Sequence, residues 1–166
     1  QEMTSILIVG SGTMGEGIAQ TFAQNGLAVR LVDCSEDQLN RALGQIPQNL
    51  KQFIEFGLID ESVEQVMARI EGMVTTDMAR AIEGCDYMVE TIRENLDDKR
   101  ALLSSVQAVA PDLVIGSNTG SMTVDSLAEG MPKPENIIGI HYFNPAHIIP
   151  LVEVHRGAQT SDAAYE

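Results

Sequence analysis

The stretch Ser5-Ile6-Leu7-Ile8-Val9-Gly10-Ser11-Gly12-Thr13-Met14-Gly15 sets an apolar run of strand length against glycines spaced G-x-G-x-x-G. A continuous apolar run is what a strand buried on both faces of a parallel sheet requires. At the turn, Gly10 permits the sharp exit from the strand, Gly12 leaves room for a ligand to approach the backbone, and Gly15 lets a helix pack close to the sheet. Apolar residues Met14, Ile18, Ala19 and Phe22 then recur at helical spacing until Asn25-Gly26 supplies a stop, which predicts a helix over residues 14–25. A second apolar strand, residues 28–32, ends at Asp33, 23 residues after Gly10.

Strand, glycine turn, helix and strand in this order form a dinucleotide-binding unit, with the helix N-terminus and residues Gly10, Gly12, Thr13, Met14 and Gly15 facing a pyrophosphate. A carboxylate at Asp33 can accept hydrogen bonds from the adenosine ribose hydroxyls and would repel a 2′-phosphate. The neighbouring Cys34, Ser35 and Glu36 add no positive charge, so the expected cofactor is NAD rather than NADP.

The rest of the chain extends the pattern. Ser35, with Gln38 three residues on, caps a helix that Pro47 kinks or interrupts before Phe56-Gly57, and residues 60–70 read as a second helix. Together they suggest a helical hairpin projecting from the sheet. Residues 73–76, 87–91, 113–116 and 137–141 are strand candidates, with helices over 78–83 and 95–109, and residues 160–166 look like the first turns of another helix. The expected fold is therefore α/β, a Rossmann-type doubly wound and mostly parallel sheet with an inserted helical hairpin after the second strand. At 166 residues one domain is expected, large enough for a core but short for one that also encloses its own substrate.

Composition narrows the class. A formal net charge of −14 works against binding nucleic acid or an anionic membrane surface, and no apolar run approaches the length of a membrane-spanning helix. The first apolar run, residues 6–9, is too short for a signal peptide and lacks a basic flank, and the two cysteines, read as thiols, suit a reducing cytoplasm. Cys34 and Cys85 lie far apart with no second ligand nearby, so both read as buried thiols rather than zinc ligands or a disulfide. His141, His147 and His155 crowd together without acidic residues at helical ligand spacing, and no metal is expected.

Glu153 stands out within Pro150-Leu151-Val152-Glu153-Val154. A carboxylate among apolar strand residues is costly to bury unless paired, and a histidine is the nearest partner that titrates near neutrality. His141 with Glu153 would suit acid–base work on a hydroxyl or carbonyl. If that strand is half exposed, Glu153 simply points to solvent.

The turn continuing as Met14-Gly15-Glu16-Gly17-Ile18-Ala19, the stretch Val89-Glu90-Thr91-Ile92-Arg93-Glu94-Asn95-Leu96 with Lys99, then Ser117-Asn118-Thr119, His141-Tyr142-Phe143-Asn144-Pro145 and Leu151-Val152-Glu153 together resemble L-3-hydroxyacyl-CoA dehydrogenases. The resemblance runs in family order over nearly the whole chain. It implies reversible interconversion of a 3-hydroxyacyl-CoA and a 3-ketoacyl-CoA with NAD as hydride acceptor, His141 as the base and Glu153 orienting it. Glu94, Lys99 and Asn144 would lie near the nicotinamide half of the cofactor, and Ser117, Asn118 and Ser121 near the substrate. It also implies an all-helical C-terminal domain, absent from this chain, that closes the cleft and builds a homodimer.

Two departures leave the substrate open. Gly120 stands where the family usually carries a serine that contacts the substrate oxygen, and Ser121 replaces it only if the loop shifts by one residue. In the hairpin, where the family holds coenzyme A with a lysine and a serine, residues 38–56 offer only Arg41 and Lys51. The alternatives are a dehydrogenase of a small hydroxy acid or of a carrier-bound hydroxyacyl group, and a non-catalytic NAD-binding homologue.

Overall fold

The computed structural model describes residues 3–166. A seven-stranded sheet runs in the order β3-β2-β1-β4-β5-β6-β7, from β1 (Ser5–Val9), β2 (Ala28–Asp33), β3 (Ile70–Val74), β4 (Tyr87–Glu90), β5 (Val114–Ser117), β6 (Ile137–Tyr142) and β7 (Val152–Arg156). Every neighbouring pair is parallel except β6 and β7, which run antiparallel. This is the doubly wound α/β architecture, and the order reverses between β1 and β4, where such sheets open a crevice at their carboxyl ends.

Alternation within the first strand divides two cores. Ile6 and Ile8 face one layer with Ile18, Leu31, Leu39, Ile46 and Leu50, drawn from helices α1 (Thr13–Gln24) and α2 (Glu36–Glu55) and from β2. Leu7 and Val9 face the other with Leu103, Val106 and Leu127, drawn from α5 (Leu96–Val109) and α6 (Val124–Ala128). Short helices α3 (Val63–Met67), α4 (Met78–Ile82) and α7 (Asp162–Tyr165) and a 3-10 turn over Pro134–Asn136 complete the set among the described residues. Each long run of buried Ile, Leu and Val is fully desolvated, about 1.5–3 kcal/mol of gain per side chain before chain entropy is subtracted.

Four features differ from the expectations. Pro47 does not interrupt its helix, because α2 runs unbroken for 20 residues and only the hydrogen bond that a residue there would donate to the preceding turn is missing. The second arm of the hairpin is five residues long rather than eleven, and its expected last turn becomes the edge strand β3, where Ile70 pairs with Val29 of β2. That strand accordingly starts three residues before the expected position. Cys34 is exposed, since it lies just past the end of β2 at the crevice, and Cys85 is only half buried, with its thiol pushed up by burial. Among the described residues no helix is long and apolar enough to cross a membrane.

Candidate active site

The glycine turn is built by close approach. Gly10 has φ of 104°, and a Cβ there would sit 2.7 Å from the Thr91 hydroxyl, while one on Gly15 would lie 1.8 Å from the Gly10 carbonyl. The Thr91 hydroxyl donates to the Gly10 carbonyl at 2.8 Å and locks the turn to the end of β4. Gly12, by contrast, faces open space, and no side chain caps α1, so its first N–H groups are available to an anion. Thr13 and Met14 form the first turn of that helix.

Asp33 closes β2 beside this turn. Its carboxylate accepts from the Ser11 N–H at 2.9 Å, the Ser11 hydroxyl at 2.7 Å and the Ser35 N–H at 2.8 Å. Burial works to raise its pKa, but hydrogen bonds from Ser35, Ser11 and Cys34 outweigh it and hold the group ionised below its ordinary range. A cavity of about 620 Å³ runs from Gly10 and Gly12 past Asp33 to Gln38 and Thr75. Among the described residues the one cation on its lining is Arg93, which is largely exposed and paired with Asp98. The open turn, the uncapped helix and the ionised Asp33 fit a dinucleotide whose ribose lacks a 2′-phosphate.

A second cavity, about 490 Å³, lies across the switch point and brings together Met14, Glu94, Asn118, Ser121, His141 and Asn144. Antiparallel pairing sets His141 of β6 directly opposite Glu153 of β7. Nδ1 of His141 is 3.3 Å from Glu153 Oε2, and the same oxygen is 3.1 Å from Nε2 of His155. Hydrogen bonds from His155 and then His141 hold the Glu153 carboxyl below its ordinary range. The outer nitrogen of His141 faces Gly120, where a Cβ would stand 3.0 Å away. Such a ring, held at Nδ1 and open at Nε2, can take a proton from a hydroxyl and return it to a carbonyl. Asn118 accepts from the Tyr142 N–H at 2.9 Å and so ties the end of β6 to the loop after β5.

Three expected site residues sit elsewhere than foreseen. Lys99 is fully buried, with Nζ 2.6 Å from Glu90, 3.0 Å from Glu94 and 3.1 Å from the Ile92 carbonyl, so it supports the crevice from beneath rather than lining it. Ser117 is also fully buried, and its hydroxyl donates to Glu90 behind the cleft, which removes it from contact with a substrate. Ser121 does not take the place left by Gly120 but donates to Glu94 at 2.6 Å. Burial opposes ionisation of Glu94, yet hydrogen bonds from Ser121, Thr119 and Lys99 together pull its pKa down to about 2. Glu90 was missed as the hub of this cluster. Its signal was the one applied to Glu153, a carboxylate closing an apolar strand, with a lysine nine residues on.

Of the two hairpin cations, Arg41 is committed, its guanidinium donating to Glu16 and to the Ser11 carbonyl at 2.8 Å each. That leaves Lys51 exposed on α2. A larger recess, about 860 Å³, lies at the amino ends of the strands among Phe22, Tyr87 and Leu113 and, among the described residues, holds no histidine, lysine or arginine.

Comparison with known proteins matches residues 5–166 to the family described as 3-hydroxyacyl-CoA dehydrogenase, NAD binding domain. The chain is similar to a probable 3-hydroxybutyryl-CoA dehydrogenase of Deinococcus radiodurans, 39% identical over 156 residues, covering 93% of this chain and 55% of that protein. It is also similar to the fatty acid oxidation complex subunit alpha of Psychrobacter arcticus, 34% identical over 166 residues, 98% of this chain and 22% of that one. Among solved structures, 3-hydroxybutyryl-CoA dehydrogenase from Escherichia coli K12 superposes with a TM-score of 0.92 at 31% identity, over 99% of this chain and 35% of the other. The chain thus spans about half, or less, of the length of these relatives.

Proposed function

Since the chain belongs to the 3-hydroxyacyl-CoA dehydrogenase family, as its NAD-binding domain, we propose that it serves the NAD-dependent interconversion of a 3-hydroxyacyl-CoA and a 3-ketoacyl-CoA. The observation that carries this reading is the His141–Glu153 pair at the crevice, 3.3 Å apart and open at Nε2 toward Gly120. Bound NAD supplies a hydride acceptor. The chain's own residues do the rest. His141 Nε2 removes the hydroxyl proton, Glu153 holds the ring by Nδ1 and stabilises the imidazolium that forms, and Asn118 fixes the backbone at Tyr142. Gly10, Gly12, Thr13, Met14 and Gly15 hold the pyrophosphate, Asp33 the ribose, and Glu94 and Asn144 border the reacting end. The remaining cleft walls and a homodimer contact come, in this reading, from a helical domain outside this chain, and the protein works in the cytoplasm.

The test is oxidation of NADH, followed by absorbance, with acetoacetyl-CoA as substrate. Turnover that disappears in His141→Ala is expected, and no oxidation above that control would sink the proposal. A second reading, a small free hydroxy acid as substrate, draws on Arg41 being held by Glu16 and Ser11 and so withdrawn from a CoA phosphate. Free 3-hydroxybutyrate turned over faster than its CoA thioester would favour it. NAD binding without turnover of either substrate, with the helical domain supplied, would instead mark a non-catalytic homologue, which Gly120 favours.

A further inference from the structure

Glu153 serves two histidines, and the proposed base is only one of them. On β7, Glu153 and His155 are two residues apart and share a face of the sheet. On β6 their cross-strand partners are His141 and Gly139. Gly139 leaves the room that His155 uses, for a Cβ there would come within 3.0 Å of the His155 Cβ and 3.2 Å of Val124. The two rings converge on the same oxygen, Oε2 of Glu153, at 3.3 Å from His141 Nδ1 and 3.1 Å from His155 Nε2.

We infer that His155 is a positioning residue for the reaction, a second proton-binding ring that competes with His141 for Glu153 and so sets how strongly Glu153 supports the base. The inference rests on the acid–base reading of His141. A protonated His155 draws Oε2 into a charge-assisted hydrogen bond and places a positive charge beside an imidazole that must itself become positive to act as base. A neutral His155 can still donate its Nε2–H to that oxygen but adds no charge, and so draws the carboxylate less from His141.

Charged groups border both sides of the pair: Arg93 and Glu94 share a cavity with His141, and Asp125 and Arg156 share one with His141, Glu153 and His155. From α6 the nearest charged group is Asp125, whose carboxylate accepts from the Ala158 N–H at 2.7 Å. From β7, Arg156 borders the same cavity, its guanidinium held by Asp162 and the Thr160 carbonyl. Among the described residues the loop after β5 carries no charged side chain, and Glu94, which borders the same cavity as His141, accepts from Ser121 at 2.6 Å. A cavity of about 440 Å³ bordered by His141, Glu153, His155 and Asp125 gives both rings access to water.

The experiment is an NMR titration of the histidine ring signals in the full chain, comparing the native protein with His155→Gln, which keeps a neutral donor toward Glu153, and with His155→Leu, which keeps none. His155 is exposed enough that both variants should fold. The expected result is a broadened, two-step titration of the His141 ring in the native protein. In both variants a single step is expected, with the midpoint displaced upward because the competing positive charge is gone. A third variant, Glu153→Gln, should uncouple the rings as well. An unmoved His141 midpoint and an unchanged curve shape in both His155 variants would overturn the inference. The acidic limb of kcat/KM for 3-hydroxyacyl-CoA oxidation should move in the same direction as the midpoint. Absence of acyl-CoA turnover would count against the proposed substrate alone, because the ring titrations decide the sharing of Glu153 without it.

Discussion

Gly120 is one residue whose lack of a side chain bears directly on the proposed chemistry. A Cβ there would stand 3.0 Å from His141 Nε2, the nitrogen the proposed reaction would use. Gly120→Ser puts a hydroxyl donor beside the reacting oxygen, and a donor of that kind is worth about tenfold or more in rate. Gly120→Ala brings the same crowding without the hydroxyl. The serine variant should therefore raise kcat/KM for acetoacetyl-CoA while the alanine variant lowers it, and steady-state kinetics on the pair checks this. Two variants that move together would show that space, not the hydroxyl, governs the position. At this scale motif and spacing named the glycine turn and Asp33, whereas His141 with Glu153 was named only through the family resemblance; the structure sets Asp33 against Ser11 and His141 opposite Glu153. Lys99 and Ser117 were misplaced for one reason: sequence shows that a side chain is polar, not which way a strand or helix turns it. A carboxylate buried in an apolar strand must be paired, and that demand falls lightly on Glu153, half exposed on an edge, but with full force on the buried Glu90.

Between elements, the buried Glu90–Lys99 pair joins β4 to α5 at the floor of the crevice. Removing one partner leaves the other charge desolvated, which typically costs about 3–5 kcal/mol. Lys99→Met should lose stability on that scale in urea denaturation, and the double variant Lys99→Met with Glu90→Leu should recover much of it. A single variant as stable as the native chain would refute the pairing. In α2, Pro47 withholds one helical hydrogen bond from a continuous helix, and Pro47→Ala should stabilise the protein by up to about 3 kcal/mol. The same urea curves measure it, and no gain would mean that the helix has already adapted to the ring. Elements with one consistent period, β1 through β2, were readable throughout. The border of α3 and β3 was not, because Val63, Val66, Met67 and Ile70 fall at helical spacing while Ile70 is claimed by pairing with β2. The five-residue α6 was missed because a single turn carries too little periodicity to stand out.

For the whole molecule, charge and local anchoring pull stability in opposite directions as pH falls. A net charge of −14 at neutrality strains the compact state by self-repulsion, and protonating carboxylates toward the pI of about 4.4 relieves it. Several carboxylates nevertheless act as ties: Asp33 holds the glycine turn, Glu94 the loop after β5, and Asp86 the start of β1 through Thr4 and Ser5. All three have pKa values lowered in the folded state, Glu94 to about 2. A depressed group contributes its full stabilisation above its unfolded pKa and loses it as pH falls through the folded one, so these ties hold down to about pH 4 and fail progressively below it. Stability should therefore rise from about pH 8 to about pH 5 and then drop steeply toward about pH 2.5. Added salt should flatten the upper part by screening the repulsion, and leave the acid collapse in place because protonation, not screening, drives it. Thermal unfolding across this range at low and high salt separates the two effects. A midpoint that falls steadily from about pH 8 downward would show that the ties outweigh the repulsion everywhere, and one still climbing at about pH 3 would show that they contribute little.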